Sequence, residues 1–451
     1  MKKGMFFALA ASSLLFSACS SDDAVVSTEG QNEAVQQIVL QVASSGDGLT
    51  TRAGRPLYSS QALQTIQNVR VMIYKNETGG GEKTIVYDKK LNWKESTTYN
   101  TNGHGRQFTI SLKGDDRLEK GSYKVMAVGY SDNSDYTYAL DVKGQAALTG
   151  STYSDITATL EAGNVAEEVF AGDAALTIGD DQKITNLTSG EEDGLDVTLH
   201  RQVAGSFGYF SNIPAKVGDK TAATLRLVVR GKNDKLTFNH FNSSFTTTGN
   251  TIKYYVNGSK SATAPASDAQ FNGGDKGYVL YSIDLNAWFP GGDQNKDGVL
   301  NAQDNNWKHP DDVKTQVMKG SVFGSNFVIP FALAHEKSTM ELQLLDNTGD
   351  IIKTWTVSIP EVNSNTENGN VADESPSIFN VVRNHMYNLG VKTSNGTPTD
   401  PDPSKPTPDP DPDKPTPDPG KDEPEDLTKS QNLILKVNDN WEAIHKLVLG
   451  D

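Results

Sequence analysis

Three stretches of the chain carry residues whose types and spacing allow chemistry. Cys19, the only cysteine among 451 residues, directly follows Phe16-Ser17-Ala18 at the end of an apolar run, Met5 to Phe16, that Lys2 and Lys3 precede. A positive start, a short apolar run and small residues before a cleavage point make an export signal over residues 1–19. A cysteine at that place is the acceptor for acyl chains, so lipid consumes the one thiol and no disulfide braces the fold. Thr50-Thr51-Arg52-Ala53 reads as an exposed basic cleavage site. Asp293 to Asp304 has the spacing of a calcium loop: Asp293, Asn295, Asp297, Asn301 and Asp304 supply side-chain oxygens, Val299 a carbonyl, and Gly298 the sharp turn. Asp304 stands where such loops usually place Glu, and the expected role of bound calcium is to stiffen a long connection.

Catalysis has little to build on, and an enzyme is not expected. His335-Glu336 opens like a zinc-protease motif, but Thr339 occupies the second histidine position, and the seven histidines are scattered. His385 reads as a structural side chain near a strand end. The net charge of -16 argues against nucleic acid and against anionic lipid surfaces as partners.

The elements that must position these residues are strands. Short alternating runs recur at Val69–Tyr74, Gln107–Leu112, Tyr123–Tyr130, Asp196–Phe210, Thr224–Arg230, Tyr278–Leu285, Met340–Leu345 and Ile351–Ile359, most of them bounded by Gly, Asn or Asp. That pattern predicts an all-β chain of two tandem β-sandwiches, residues 53–192 and 193–396, divided near Gly190-Glu191-Glu192-Asp193-Gly194. Gln61–Asn68 and Asn164–Ala175 read as short helix or loop. Residues 397–426 form a Pro/Asp-rich tether with ten acidic residues against three lysines, a composition that cannot build a core and favours extended polyproline geometry. Fully extended, it reaches about 90 Å.

Two short segments share one pattern. Gln37-Ile38-Val39-Leu40-Gln41-Val42 and Asn432-Leu433-Ile434-Leu435-Lys436-Val437 both read polar, three aliphatics, polar, valine. The first lies ahead of the Arg52 site, in residues 20–52. The second follows the tether, in residues 427–451, where Leu433, Leu435 and Val437 alternate and Trp441, Ile444, Leu447 and Leu449 continue the apolar series. An apolar strand on a solvated tether needs a place to bury itself.

Val381-Val382-Arg383-Asn384-His385-Met386-Tyr387-Asn388-Leu389, the Asp-Pro tether and the apolar strand with Trp441 together resemble the C-terminus of the fimbrillins, stalk subunits of the type V pili of Bacteroidales. Val69-Arg70-Val71-Met72-Ile73-Tyr74 resembles the first mature strand of that family, and Thr51-Arg52-Ala53-Gly54 sits where its precursors are cut. Ser20-Ser21-Asp22-Asp23 resembles the acidic tag that sends Bacteroidales lipoproteins to the cell surface. The resemblance implies two transthyretin-like β-sandwiches, lipid on Cys19 holding the precursor in the outer membrane, and cleavage between Arg52 and Ala53 by a trypsin-like, Arg-specific protease, Arg52 being favoured over Arg55 because Pro56 would block a cut there. It further implies that a plug strand carrying Ile38, Leu40 and Val42 gives way to a donor strand, from Leu433 to Leu449, of an identical or related subunit. Copies would then join head to tail into a surface fibre serving adhesion or biofilm formation. A lipid-retained pilus anchor is the nearest alternative; a surface glycan-binding lipoprotein is another, which exposed aromatic platforms would favour.

Overall fold

A computed structural model of the chain describes residues 36–43, 66–75, 83–98, 105–161, 163–187, 194–229, 233–238, 258–259, 269–270, 276–313, 317–334, 340–358, 378–381, 383, 386–391, 422–429 and 432–438, all within the compact unit Val35–Asp451. Nearly all of its regular structure is β.

The N-terminal half is a two-leaf sandwich. One leaf pairs the strands Ile85–Asn92, Asn68–Lys75, Gly121–Tyr130 and Phe170–Ile178. The other pairs Gly194–Arg201, Gln36–Ala43, Gly105–Leu112 and Thr97–Thr98. They meet at a corner where His200 and Arg201 pair with Ala171 and Phe170. Alternation along Asn68–Lys75 sends Val69, Val71 and Ile73 into the core between the leaves. Met72 and Tyr74 point the other way, into a second core with Met126, Val128, Tyr130, Tyr136 and Phe238. This strand is therefore covered on both faces. Arg70, on the second face, is satisfied by Asp88 (2.6 and 2.5 Å) and by the carbonyls of Gly144 and Ala146, both at 2.7 Å.

The C-terminal half also has two leaves. In one, Ala204–Ser211 is flanked by Ser321–Val328 and Met386–Leu389; in the other, Lys220–Val229 lies between Lys276–Asp284 and Met340–Asp346, with Ile351–Ser358 beyond. The halves share a small sheet, in which Lys235–Thr237 pairs with Thr157–Leu160.

Several expectations change. Asp196–Phe210 is two strands, not one: the buried amide of Gln202 donates to the carbonyls of His200 (2.6 Å) and Ala171 (3.2 Å), and the chain turns there from the first sandwich to the second. Gly194–Arg201 thus belongs to the first sandwich, one strand beyond the expected division at 192/193. Asn164–Ala175 does not hold a helix; its second half opens the strand Phe170–Ile178. Gly172 within it answers a close approach at the leaf corner, since a Cβ there would come 2.0 Å from the Thr198 carbonyl oxygen. Leu285 ends no strand but starts the one-turn helix Leu285–Trp288, capped by the Asp284 carboxylate. Residues 61–65 lie outside the described residues.

Candidate functional site

The strand Gln36–Ala43 occupies the middle of its leaf. It runs antiparallel to Gly105–Leu112 from Gln36↔Leu112 to Ala43↔Gly105, and parallel to Gly194–Arg201 from Gln37↔Gly194 to Val42↔Leu199. Alternation turns Gln36, Ile38 and Leu40 inward, each with 0% exposure. Ile38 lies opposite Ile110 and Leu195, and Leu40 opposite Phe108 and Val197. Full burial of each aliphatic side chain contributes about 1.5–3 kcal/mol. On the outer face Gln41 donates to the Asp196 carboxylate at 3.2 Å.

Gln36 is the residue sequence patterning overlooks. Its Nε2 donates to the Leu118 carbonyl (2.9 Å) and the Gln182 carbonyl (2.8 Å), while its Oε1 accepts from the Leu118 N–H (2.9 Å). A polar residue two places ahead of Ile38 on the inner face was the available signal. Taking the strand away strips these groups of that amide and parts the edges of two strands that otherwise face it. Exposed edges and an apolar trough invite another strand.

The C-terminal strand lies elsewhere. Asn432–Ile434 pairs parallel with Thr356, Val357 and Ser358, and Lys436–Asn438 pairs antiparallel with Met386–Asn388. Leu433 and Leu435, each 1% exposed, join the core of the second sandwich. The two look-alike segments thus fill different cores in one chain and pair differently: Gln36–Ala43 has a parallel and an antiparallel neighbour along its length, whereas the C-terminal segment is two short strands, each with one neighbour and each in a different leaf. The end of the expected tether docks on the second sandwich: Glu425 and Asp426 pair with Phe210 and Ser211, Asp422 accepts from the Tyr209 hydroxyl (3.1 Å), and Leu427 is wholly buried. Burial alone would raise the Asp426 carboxyl, but bonds from Thr428, Asn212 and Lys429 outweigh it and bring it to about 2.

Solved structures that the chain resembles include a fimbrilin from Porphyromonas gingivalis (13% identity, 91% of this chain and 98% of that one, TM-score 0.35). A fimbrial assembly protein from Parabacteroides distasonis matches at 13% identity over 80% of this chain and 93% of that one, TM-score 0.33. The fimbrial anchor protein of Porphyromonas gingivalis matches at 9% identity over 79% and 90%, TM-score 0.32. No family model and no curated protein matches the chain.

The Asp293–Asp304 loop is closed by its own side chains. Asp293 accepts from the N–H groups of Lys296 (2.7 Å) and Gly298 (2.8 Å), and Asp297 from the Val299 N–H (2.9 Å) and the amides of Asn295 and Asn301. Asp304, wholly buried, accepts from Gln294 (2.9 Å) and Asn301 (3.0 Å). Gly298 holds the positive φ of 87° that its turn requires, and buried Leu300 pins the loop by pairing with Ile213. The Asn301 and Val299 bonds hold the Asp297 carboxyl below its usual range. Among the described residues, no three carboxylate, imidazole or thiol groups gather as a preformed metal cluster.

Cys19, Arg52, Ala53, His335, His385, Trp441, Ile444, Leu447, Leu449 and the side chains of Val42 and Val437 lie outside the described residues.

Proposed function

We propose that the chain is a structural subunit of a cell-surface fimbrial stalk, assembled by strand exchange. Lipid on Cys19 holds the precursor in the outer membrane, a trypsin-like protease cuts between Arg52 and Ala53, and Gln36–Ala43 leaves with the released piece. The C-terminal strand of an identical or related subunit then enters the opened slot. One observation carries this reading. A strand buried in the middle of its leaf, paired along both edges, is joined to the body only through residues 44–65, which contain Arg52. While uncut, the strand is held at an effective concentration of roughly millimolar order, which excludes competitors; one cut removes that advantage. The matching spacing of Ile38/Leu40 and Leu433/Leu435, all four essentially unexposed, supports the exchange. A contact of this head-to-tail kind does not close on itself and yields fibres.

Calcium is part of the proposal: Asp293, Asn295, Asp297, the Val299 carbonyl, Asn301 and Asp304 would hold it. Support comes from their spacing, the left-handed Gly298 and the pinned Leu300. Its place would be structural.

The test is trypsin treatment followed by an unboiled gel. A ladder of oligomers is expected, lost in Arg52→Ala and on truncation after Asp426. Persistent monomer after clean cutting at Arg52 sinks the stalk reading.

A further inference from the structure

We propose that Gln431 of one copy takes the place of Gln36 in the next, and that this amide sets the register in which the incoming strand locks. The inference rests on the strand-exchange reading above and adds to it which residues decide the fit.

The slot makes two kinds of demand. Its apolar part takes two aliphatic side chains spaced by two residues, a requirement many alternating segments meet. Its polar part is narrower. The Leu118 N–H and the carbonyls of Leu118 and Gln182 are served by one side chain that both donates and accepts, in a place with no exposure. A primary amide of glutamine length does this; an aliphatic chain leaves the three groups without it, and an ammonium cannot accept from the Leu118 N–H.

Laying Asn432–Val437 over Gln37–Val42 aligns Leu433 with Ile38 and Leu435 with Leu40, and brings Gln431 onto Gln36. Neighbouring registers that keep the same face inward fail. Sliding by two in one direction puts Lys429 at the amide position and Gln431 in the Ile38 pocket; sliding by two in the other puts Leu433 at the amide position. Sliding by one turns every aliphatic to the wrong face. The outer face agrees with the same register: Lys436 replaces Gln41, whose amide now meets Asp196 at 3.2 Å, so an ammonium of one copy faces a carboxylate of the next.

The experiment uses the full chain trimmed at Arg52, which then contains no cysteine. Gln37 faces Ser111, and Val39 faces Thr109, in the antiparallel ladder. The pair Asn432→Cys with Ser111→Cys therefore reports the proposed register, and Asn432→Cys with Thr109→Cys reports the slide that brings in Lys429. The expected result is disulfide-linked oligomers from the first pair and not the second. Gln431→Leu should slow assembly about ten-fold or more, the factor that roughly 1.4 kcal/mol carries, with the melting temperature of the untrimmed protein as folding control. Lys436→Glu should slow it further and Asp196→Lys should restore it in the double variant. Assembly of Gln431→Leu at the parent rate, or linkage through Thr109→Cys, overturns the amide register while leaving strand exchange standing. Failure of the parent chain to assemble after clean trimming overturns strand exchange itself.

Discussion

The side-chain amide of Gln36 and the backbone of Leu118 form a closed two-way hydrogen bond, Nε2 donating to the carbonyl and the N–H donating to Oε1, both at 2.9 Å. The pair is 82 residues apart in sequence and buried. Gln36→Leu should therefore destabilise the untrimmed protein by about 1–3 kcal/mol, because it leaves buried backbone groups without that partner. Denaturant unfolding of the two forms measures the difference. A variant as stable as the parent would show that the amide merely fills space.

Leu40→Ala should cost about 2–5 kcal/mol, the usual range for emptying a buried leucine site. Leu435→Ala should cost a similar amount, since both side chains are essentially unexposed. The two losses should differ in where they appear. Hydrogen exchange should rise along Gly105–Leu112 for the first and along Met386–Leu389 for the second, the strands each segment pairs with.

Docking of Asp422–Lys429 should weaken in acid. The Asp426 carboxyl is held at about 2 in the folded protein, below its ordinary value of 3.8. A carboxyl lowered on folding stabilises above its unfolded value and loses that contribution as pH falls through the folded one. The protection of the Leu427 amide relative to its unfolded exchange rate, set by its 3.1 Å bond to the Ser211 carbonyl, should fall between about pH 4 and pH 2. Asn212→Ala removes a 2.8 Å bond to Asp426 and should move that window upward.

Calcium should raise the melting temperature, and chelation should lower it again. Asp297→Ala should abolish the response, and Gly298→Ala should blunt it, since an L side chain at a φ of 87° strains the turn. An unchanged melting temperature on chelation would count against an occupied, stabilising loop.

Gly172→Val should prevent the first sandwich from closing. Even a single Cβ there would stand 2.0 Å from the Thr198 oxygen and 2.8 Å from its carbonyl carbon, backbone atoms that cannot move aside cheaply. Loss of soluble, protease-resistant protein is the measurement; a stable variant would mean that the corner can open.

Alternation made the long strands readable: Val69–Tyr74 and Tyr123–Tyr130 fall within observed strands because their apolar residues face cores. Where contact geometry overrides composition, the sequence misleads. Phe170–Ile178 is interrupted by a glycine because the leaf corner leaves no room for a side chain at Gly172. The strand break at Gln202 depends on a side-chain amide capturing two carbonyls, which no periodicity records. Asp422–Asp426 carries the charge of a tether, yet Glu425 and Asp426 pair with Phe210 and Ser211, and the Asp422 and Asp426 carboxylates accept from Tyr209 and Asn212. In the candidate site, Ile38 and Leu40 were legible as inward residues. The Gln36 clamp was not, because a glutamine beside an apolar run ordinarily signals the solvent side.

The unlike directions of the strands flanking Gln36–Ala43 have a consequence for anything built through this position. Reversing an occupant would convert the parallel partner into an antiparallel one and the reverse, misplacing the N–H and C=O groups along both sides. Every junction must then be threaded in the same sense. A polymer assembled by the proposed exchange would have unlike extremities, one with an empty slot and the other with a C-terminal strand that no further copy has received.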